Sequence, residues 1–103
     1  MALAVTTVTI TTTPRTIVQN DTATLVNVAS PASVILPVGS AADNGRSYYI
    51  KDKSGNARTN PITITAGGGR LIDGQSFAIL NNGYSHIQVV SDGANWFLSL
   101  IHI

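Results

Sequence analysis

Short runs rich in Val, Ile and Thr, each closed by Gly, Asn, Asp or Pro, follow one another along this chain. β-Branched side chains are stiff at χ1 and pack well on a pleated, half-buried surface, so this vocabulary selects strands. No stretch carries an apolar stripe at helical spacing. Ser40 to Asn44 could form a single helical turn, too short to stand alone. Nine or ten short strands with no helices between them point to an all-β fold: a compact antiparallel β-sandwich or a small barrel.

The N-terminal run Ala4 to Thr12 sets Val5, Val8 and Ile10 against threonines, with Thr6-Thr7 doubled as at a bulge. A polar, alternating terminal strand is a natural edge to which another subunit can add. Pro14 and Arg15 end it. Strands are then expected at Thr16 to Val18, Thr24 to Val28 and Ser33 to Leu36, with a turn at Asn20-Asp21 and a link of hairpin length from Ala29 to Ala32. Ser47 to Lys53 and Pro61 to Thr65 read as two arms of a hairpin across SGNARTN, followed by Ser76 to Leu80. Tyr84 to Ser91 and Asn95 to Ile101 make a last hairpin across Asp92-Gly93-Ala94. The expected inward set is Ile35, Tyr49, Ile62, Ile64, Ile72, Phe77, Ile79, Ile87, Val89, Trp96 and Leu98. Residues 1–13 form an N-terminal strand or arm, and 14–103 a single β domain. The apolar ending LSLIHI should close the core or pack against a neighbouring subunit.

Only 11 % of the 103 residues are charged, against 44 % hydrophobic, so a monomer has little charge with which to cover its surface. Oligomerisation or docking on a larger body relieves that shortage. The six cations are scattered and the net charge is +1, which lacks the basic stripe that a nucleic-acid binder needs. With no cysteine there is neither a disulfide framework nor a thiolate metal site. MALAVTTVTITTT has no basic n-region, and no run approaches the roughly 20 apolar residues of a membrane helix. A soluble protein made in a cytoplasm is expected, with no membrane partner.

Catalytic and ligand motifs each meet a plainer explanation. Gly67-Gly68-Gly69-Arg70 lacks the following helix and lysine of a phosphate loop, and a flexible turn accounts for it. His86 and His102 have no carboxylate at metal-ligand spacing; one histidine per chain could ligate zinc only around a trimer axis. Ser85, His86 and Asp92 are close in sequence but form no nucleophile elbow, and the aspartates sit mostly in turn positions. Asn20-Asp21-Thr22 matches the N-glycosylation pattern without a secretory signal to make it count. Tyr49 and Trp96 belong to the core, whereas Tyr48 and Tyr84 are open as a sugar-stacking platform. No enzyme, cofactor or metal is expected.

The order YYIKDKSGNARTNPITIT, LIDGQ, SDGANW resembles the small all-β modules of tailed-bacteriophage tail fibres and other virion surface proteins, over Tyr48 to Leu98 and only loosely before it. The resemblance implies a non-enzymatic virion structural protein, assembled in the host cytoplasm as a homotrimer. A chain that begins at Met1 and carries no shaft repeats is expected to be a capsid decoration (cement) protein on the outer capsid surface, bound to the major capsid protein. On that reading Ala2, Leu3, Val5, Thr7, Thr9 and Thr11 clamp the capsid. Asp73, Gly74, Asp92, Gly93, Asn95 and Trp96 are structural turn and core residues. The alternative is a tail-fibre module for a host receptor or glycan, with loops Asn56 to Asn60 and Asn81 to Tyr84 making the contacts.

Overall fold

The computed structural model describes residues 7–18, 23–38 and 45–102, with side chains through Ser99. Ala2, Leu3 and Val5, the turns expected at Asn20-Asp21 and Ser40 to Asn44, and Thr22 lie outside them. The strands are β1 (Thr7–Ile10), β2 (Arg15–Thr16), β3 (Ala23–Val26), β4 (Ala32–Leu36), β5 (Ser47–Asp52), β6 (Ile62–Ala66), β7 (Phe77–Leu80), β8 (His86–Ser91) and β9 (Trp96–His102). They form a five-stranded sheet ordered β1-β3-β5-β8-β9 and a four-stranded sheet ordered β2-β4-β6-β7. The fold is all-β, two packed open sheets around one apolar core.

Up to β6 the chain changes sheet at every connection, so β1 and β2, β3 and β4, and β5 and β6 stack as three successive coils. All four pairings between coils are parallel. The direction then reverses, and β7 pairs antiparallel with β6, β8 with β5, and β9 with β8. The sheets are therefore mixed where an antiparallel sandwich is expected from the turns alone. Two expected hairpins are absent for the same reason. β3 and β4 lie in different sheets, as do β5 and β6, so the links 27–31 and 53–61 cross the core instead of turning back. The last hairpin stands as expected, with a register shift between Gln88 and Val89.

Parallel stacking repeats one inward pattern from coil to coil. In the five-stranded sheet Val8, Thr24, Ile50 and Ile87 make one cross-strand row, and Ile10, Val26 and Asp52 make another. In the four-stranded sheet Ala32, Ile62 and Leu80 are aligned, beside Val34, Ile64 and Ala78. Tyr48 and Trp96 are fully buried and meet edge to face, ring centroids 5.6 Å apart.

The expected inward set holds at Ile62, Ile64, Ile72, Ile87, Val89 and Trp96, with Leu98 packed against the core. It fails at Tyr49, Ile35, Phe77 and Ile79. Tyr48 is buried in place of Tyr49, and Ile35 lies between buried Val34 and Leu36. Phe77 and Ile79 are exposed because Leu80 pairs with the inward Ile62, which turns Ala78 and Leu80 inward. Where both faces of a strand are apolar, alternation does not say which is inside.

Thr24 is fully buried and its hydroxyl has no hydrogen-bond partner among the described residues. Thr24→Val removes that unsatisfied group at nearly constant volume and should raise stability by about 1 kcal/mol. Ile64→Ala, at an equally buried position, should lower it by about 2–5 kcal/mol. Urea midpoints of the two variants check both directions.

Candidate functional site

Two loop systems bring together the residues that the sequence singles out. The first is built on Asp52, the last residue of β5, which is 1 % exposed and occupies an inward position. Its Oδ1 accepts from Ser54 Oγ at 2.7 Å and Gly55 N at 3.2 Å, and its Oδ2 from Ala57 N at 3.0 Å and Tyr84 N at 3.1 Å. A carboxylate followed by Ser-Gly-Asn turns the chain over its own oxygens, and the φ of 79° at Gly55 completes the turn. Burial pushes the Asp52 carboxyl up, and the four hydrogen bonds outweigh it and hold the group below its usual range.

The fourth donor belongs to a distant loop, 81–85, which leads into β8. Tyr84 sits there at φ 61° and is 61 % exposed. Its carbonyl accepts from Lys51 Nζ, and its ring lies across Gly55, where an added Cβ would come within 2.5 Å of the ring. Gly83 approaches just as closely, since a Cβ there would meet the Gly55 carbonyl oxygen at 2.6 Å. A bulky residue in the left-handed region is strained, and Asp52 is what holds it. Asp52 thus ties the loop that begins at Ser54 to the loop 81–85, with the exposed tyrosine ring against Gly55. Asn56, Asn81 and Asn82 in these loops are exposed.

The second system joins the two remaining motifs. Ile72 and Gln75 exchange backbone bonds of 2.8 Å across Asp73 (φ 50°) and Gly74 (φ 77°), the two-residue turn that Asp-Gly favours. At the β8–β9 turn Asp92 Oδ1 accepts from Asn95 N and Ala94 N at 2.7 and 2.9 Å, which holds its carboxyl low. The two turns then bind each other. Leu71 N donates to Asn95 Oδ1, Trp96 N to Leu71 O, Asp73 N to Trp96 O and Leu98 N to Asp73 Oδ1, all between 2.8 and 3.0 Å. Leu71 to Asp73 consequently covers the outer edge of β9 where it begins, and Trp96 is locked in the core beneath.

The other candidates are dispersed. Ser85 Oγ donates to Asn82 O at 2.6 Å, and Asp92 lies beyond the far end of β8, about 20 Å away at strand spacing. Ser85, His86 and Asp92 are therefore not brought together. His86 stacks on Tyr49, ring centroids 4.9 Å apart, and is in register with His102. The described residues contain no group of three His, Cys, Asp or Glu that could hold a metal. Gly67–Gly69 forms a 3-10 turn closed by Arg70 N on Gly67 O, with an extended segment after it. Thr7, Thr9 and Thr11 are exposed on and just after β1, the edge of the five-stranded sheet. Asp52 escapes sequence reading as a site residue; the signal for it was the Asp-x-Ser-Gly-Asn order, which marks a side-chain-closed turn.

No protein-family model matches the chain, and no curated protein matches it in sequence.

Asp52→Asn presents an amide nitrogen to two of the four donors and should cost about 1–3 kcal/mol at pH 7. Because the folded carboxyl lies below its unfolded value, its contribution is complete above roughly pH 5 and is lost as pH falls through the folded value. The gap between wild type and Asp52→Asn in urea titrations should therefore narrow from pH 7 to pH 3. An equal gap at both would show that the carboxylate charge contributes nothing.

Proposed function

We propose that this chain is a non-enzymatic structural module of a tailed-phage virion, a homotrimer that joins a larger β-assembly by strand addition. One observation carries the reading: among the described residues, the first coil of the stack has no neighbour on its outer side. At the far end antiparallel strands follow the last coil and Leu71 to Asp73 covers the start of β9, while β7 pairs only with β6 among the described residues. At the near end, among the described residues, β1 pairs only with β3 and β2 only with β4. Stacked β-coils need a cap or a continuation at each end. β1 also has none of the usual guards of a free edge, being TVTI without charge or proline.

Two bodies can supply the missing neighbour. A tail fibre does so by stacking modules along its axis, and the coil geometry supports that placement directly. The exposed Tyr84 ring adds to it, since an aromatic face with exposed asparagines in the same loops suits a receptor sugar. The capsid-decoration placement is supported by the uncharged threonine edge, with Thr7, Thr9 and Thr11 facing outward to be clamped on the major capsid protein.

Strand addition and sugar contact separate experimentally. Thr7→Lys with Thr9→Lys guards the edge while leaving Val8 and Ile10 in the core. It should abolish incorporation into particles, or saturable binding to shells lacking the protein, as followed by sedimentation and cryo-imaging. Normal incorporation of this variant would sink the strand-addition reading. Tyr84→Ala should remove glycan-array signal at least tenfold and leave incorporation unchanged. A fibre module shows both effects, and a decoration protein only the first.

A further inference from the structure

The chain contains two Asn-Gly pairs, Asn44-Gly45 and Asn82-Gly83. An asparagine side chain can close on the next peptide nitrogen, and a following glycine has no Cβ to obstruct the ring that forms. The nitrogen must first lose its proton, so a hydrogen bond that occupies the N–H withholds it. The fold treats the two pairs differently. Gly45 N donates to Ser91 O, at the end of β8, at 2.7 Å. Gly83 N donates to no described residue, and the Asn82 side-chain amide makes no hydrogen bond among them. Asn82 and Gly83 are both exposed. The other side of peptide 82–83 favours ionisation. Its carbonyl oxygen, Asn82 O, accepts from Ser85 Oγ at 2.6 Å and from Ser85 N at 3.3 Å. When the peptide nitrogen loses its proton, resonance places much of the charge on that oxygen, where the two donors stabilise it.

We propose that Asn82-Gly83 is a site of spontaneous modification, with water as the co-reactant, and that the fold protects Asn44-Gly45. Hydroxide takes the proton of Gly83 N, and the nitrogen attacks Asn82 Cγ. The new N–Cγ bond closes a five-membered imide as the Cγ–Nδ2 bond breaks and ammonia leaves, its last proton supplied by water. Water then opens the ring at either carbonyl carbon. Cleavage of the new N–Cγ bond gives aspartate, and cleavage of the original peptide bond gives isoaspartate, whose main chain runs through Cβ and Cγ. Both products add a negative charge, but only isoaspartate lengthens the backbone. That extra carbon falls where the loop has no slack. Gly83 lies against the Gly55 carbonyl oxygen, which an added Cβ would meet at 2.6 Å, and Tyr84 N is 3.1 Å from Asp52 Oδ2. Isoaspartate at position 82 therefore moves Tyr84 N off Asp52 and leaves a buried carboxylate one donor short.

Peptide mass spectrometry of the whole folded protein, held at mildly alkaline pH, reads both sites in one molecule. Conversion of amide to acid at Asn82 should outrun that at Asn44 at least tenfold, and Ser85→Ala should slow it roughly two- to tenfold, the worth of one neutral hydrogen bond. In urea that unfolds the chain the two rates should converge, because Gly45 N then has no Ser91 carbonyl to occupy it. Equal rates in the folded protein, a faster Asn44, or no reaction at Asn82 while both pairs react in urea would overturn the site. The isoaspartate form, isolated by ion exchange, should have a lower urea midpoint than Asn82→Asp, which carries the new charge on an unaltered backbone. A midpoint equal to that of Asn82→Asp would overturn the coupling to Asp52.

Discussion

Ile10, Val26 and Asp52 occupy one inward row of three parallel strands, and the last of them is a carboxylate. A charge at a core position is stable only when its oxygens are filled, and here three backbone N–H groups and a hydroxyl fill them. Those donors come from the loop inside the third coil and from the loop that leads into β8. The loop 53–57 carries the chain away to β6, and Tyr84 N brings it back for β8. Asp52 N also donates to Ser85 O, which starts β8 antiparallel to β5. The antiparallel pairing of β8 with β5 therefore starts at this carboxylate.

The same arrangement gives the molecule two unlike ends. Aspartate side chains organise the reversing end: Asp52 at the loop pair, and Asp73 and Asp92 at the turns that bind each other beside Trp96. Asp73 and Asp92 are exposed, yet both place an oxygen on backbone amides that would otherwise compete for water. Short turns with positive φ at Asp73, Gly74 and Gly93 make the chain compact there. The other end is made of threonine, valine and isoleucine in short strands, with backbone groups directed along the stack.

The scarcity of charge becomes intelligible at the level of faces. The outer rows of the five-stranded sheet include Lys51, His86 and Gln88 with Tyr49 stacked among them. Those of the four-stranded sheet include only threonine, serine, isoleucine and phenylalanine. The small number of charges is thus distributed unevenly, and the rows of one outer face carry none.

From the sequence by itself follow the strand vocabulary, the approximate strand positions after Ser47, the final hairpin and the turn character of Asp73-Gly74 and Asp92 to Asn95. Each of these is local, set by χ1 stiffness or by which residues tolerate a turn's φ. Strand neighbours are not local. Alternation assigns a residue to one of two faces and says nothing of which strand lies beside it, so the crossings from sheet to sheet read as hairpins. It also cannot choose between faces where both are apolar, as in SVIL and FAIL, or where the residue is the same, as at Tyr48 and Tyr49. Only packing decided those cases, because a strand buries whichever face matches the row already set by its neighbours. The burial of Asp52 and the strained exposure of Tyr84 belong to the same class, since a donor 32 positions along the chain meets this carboxylate only after the sheets have formed.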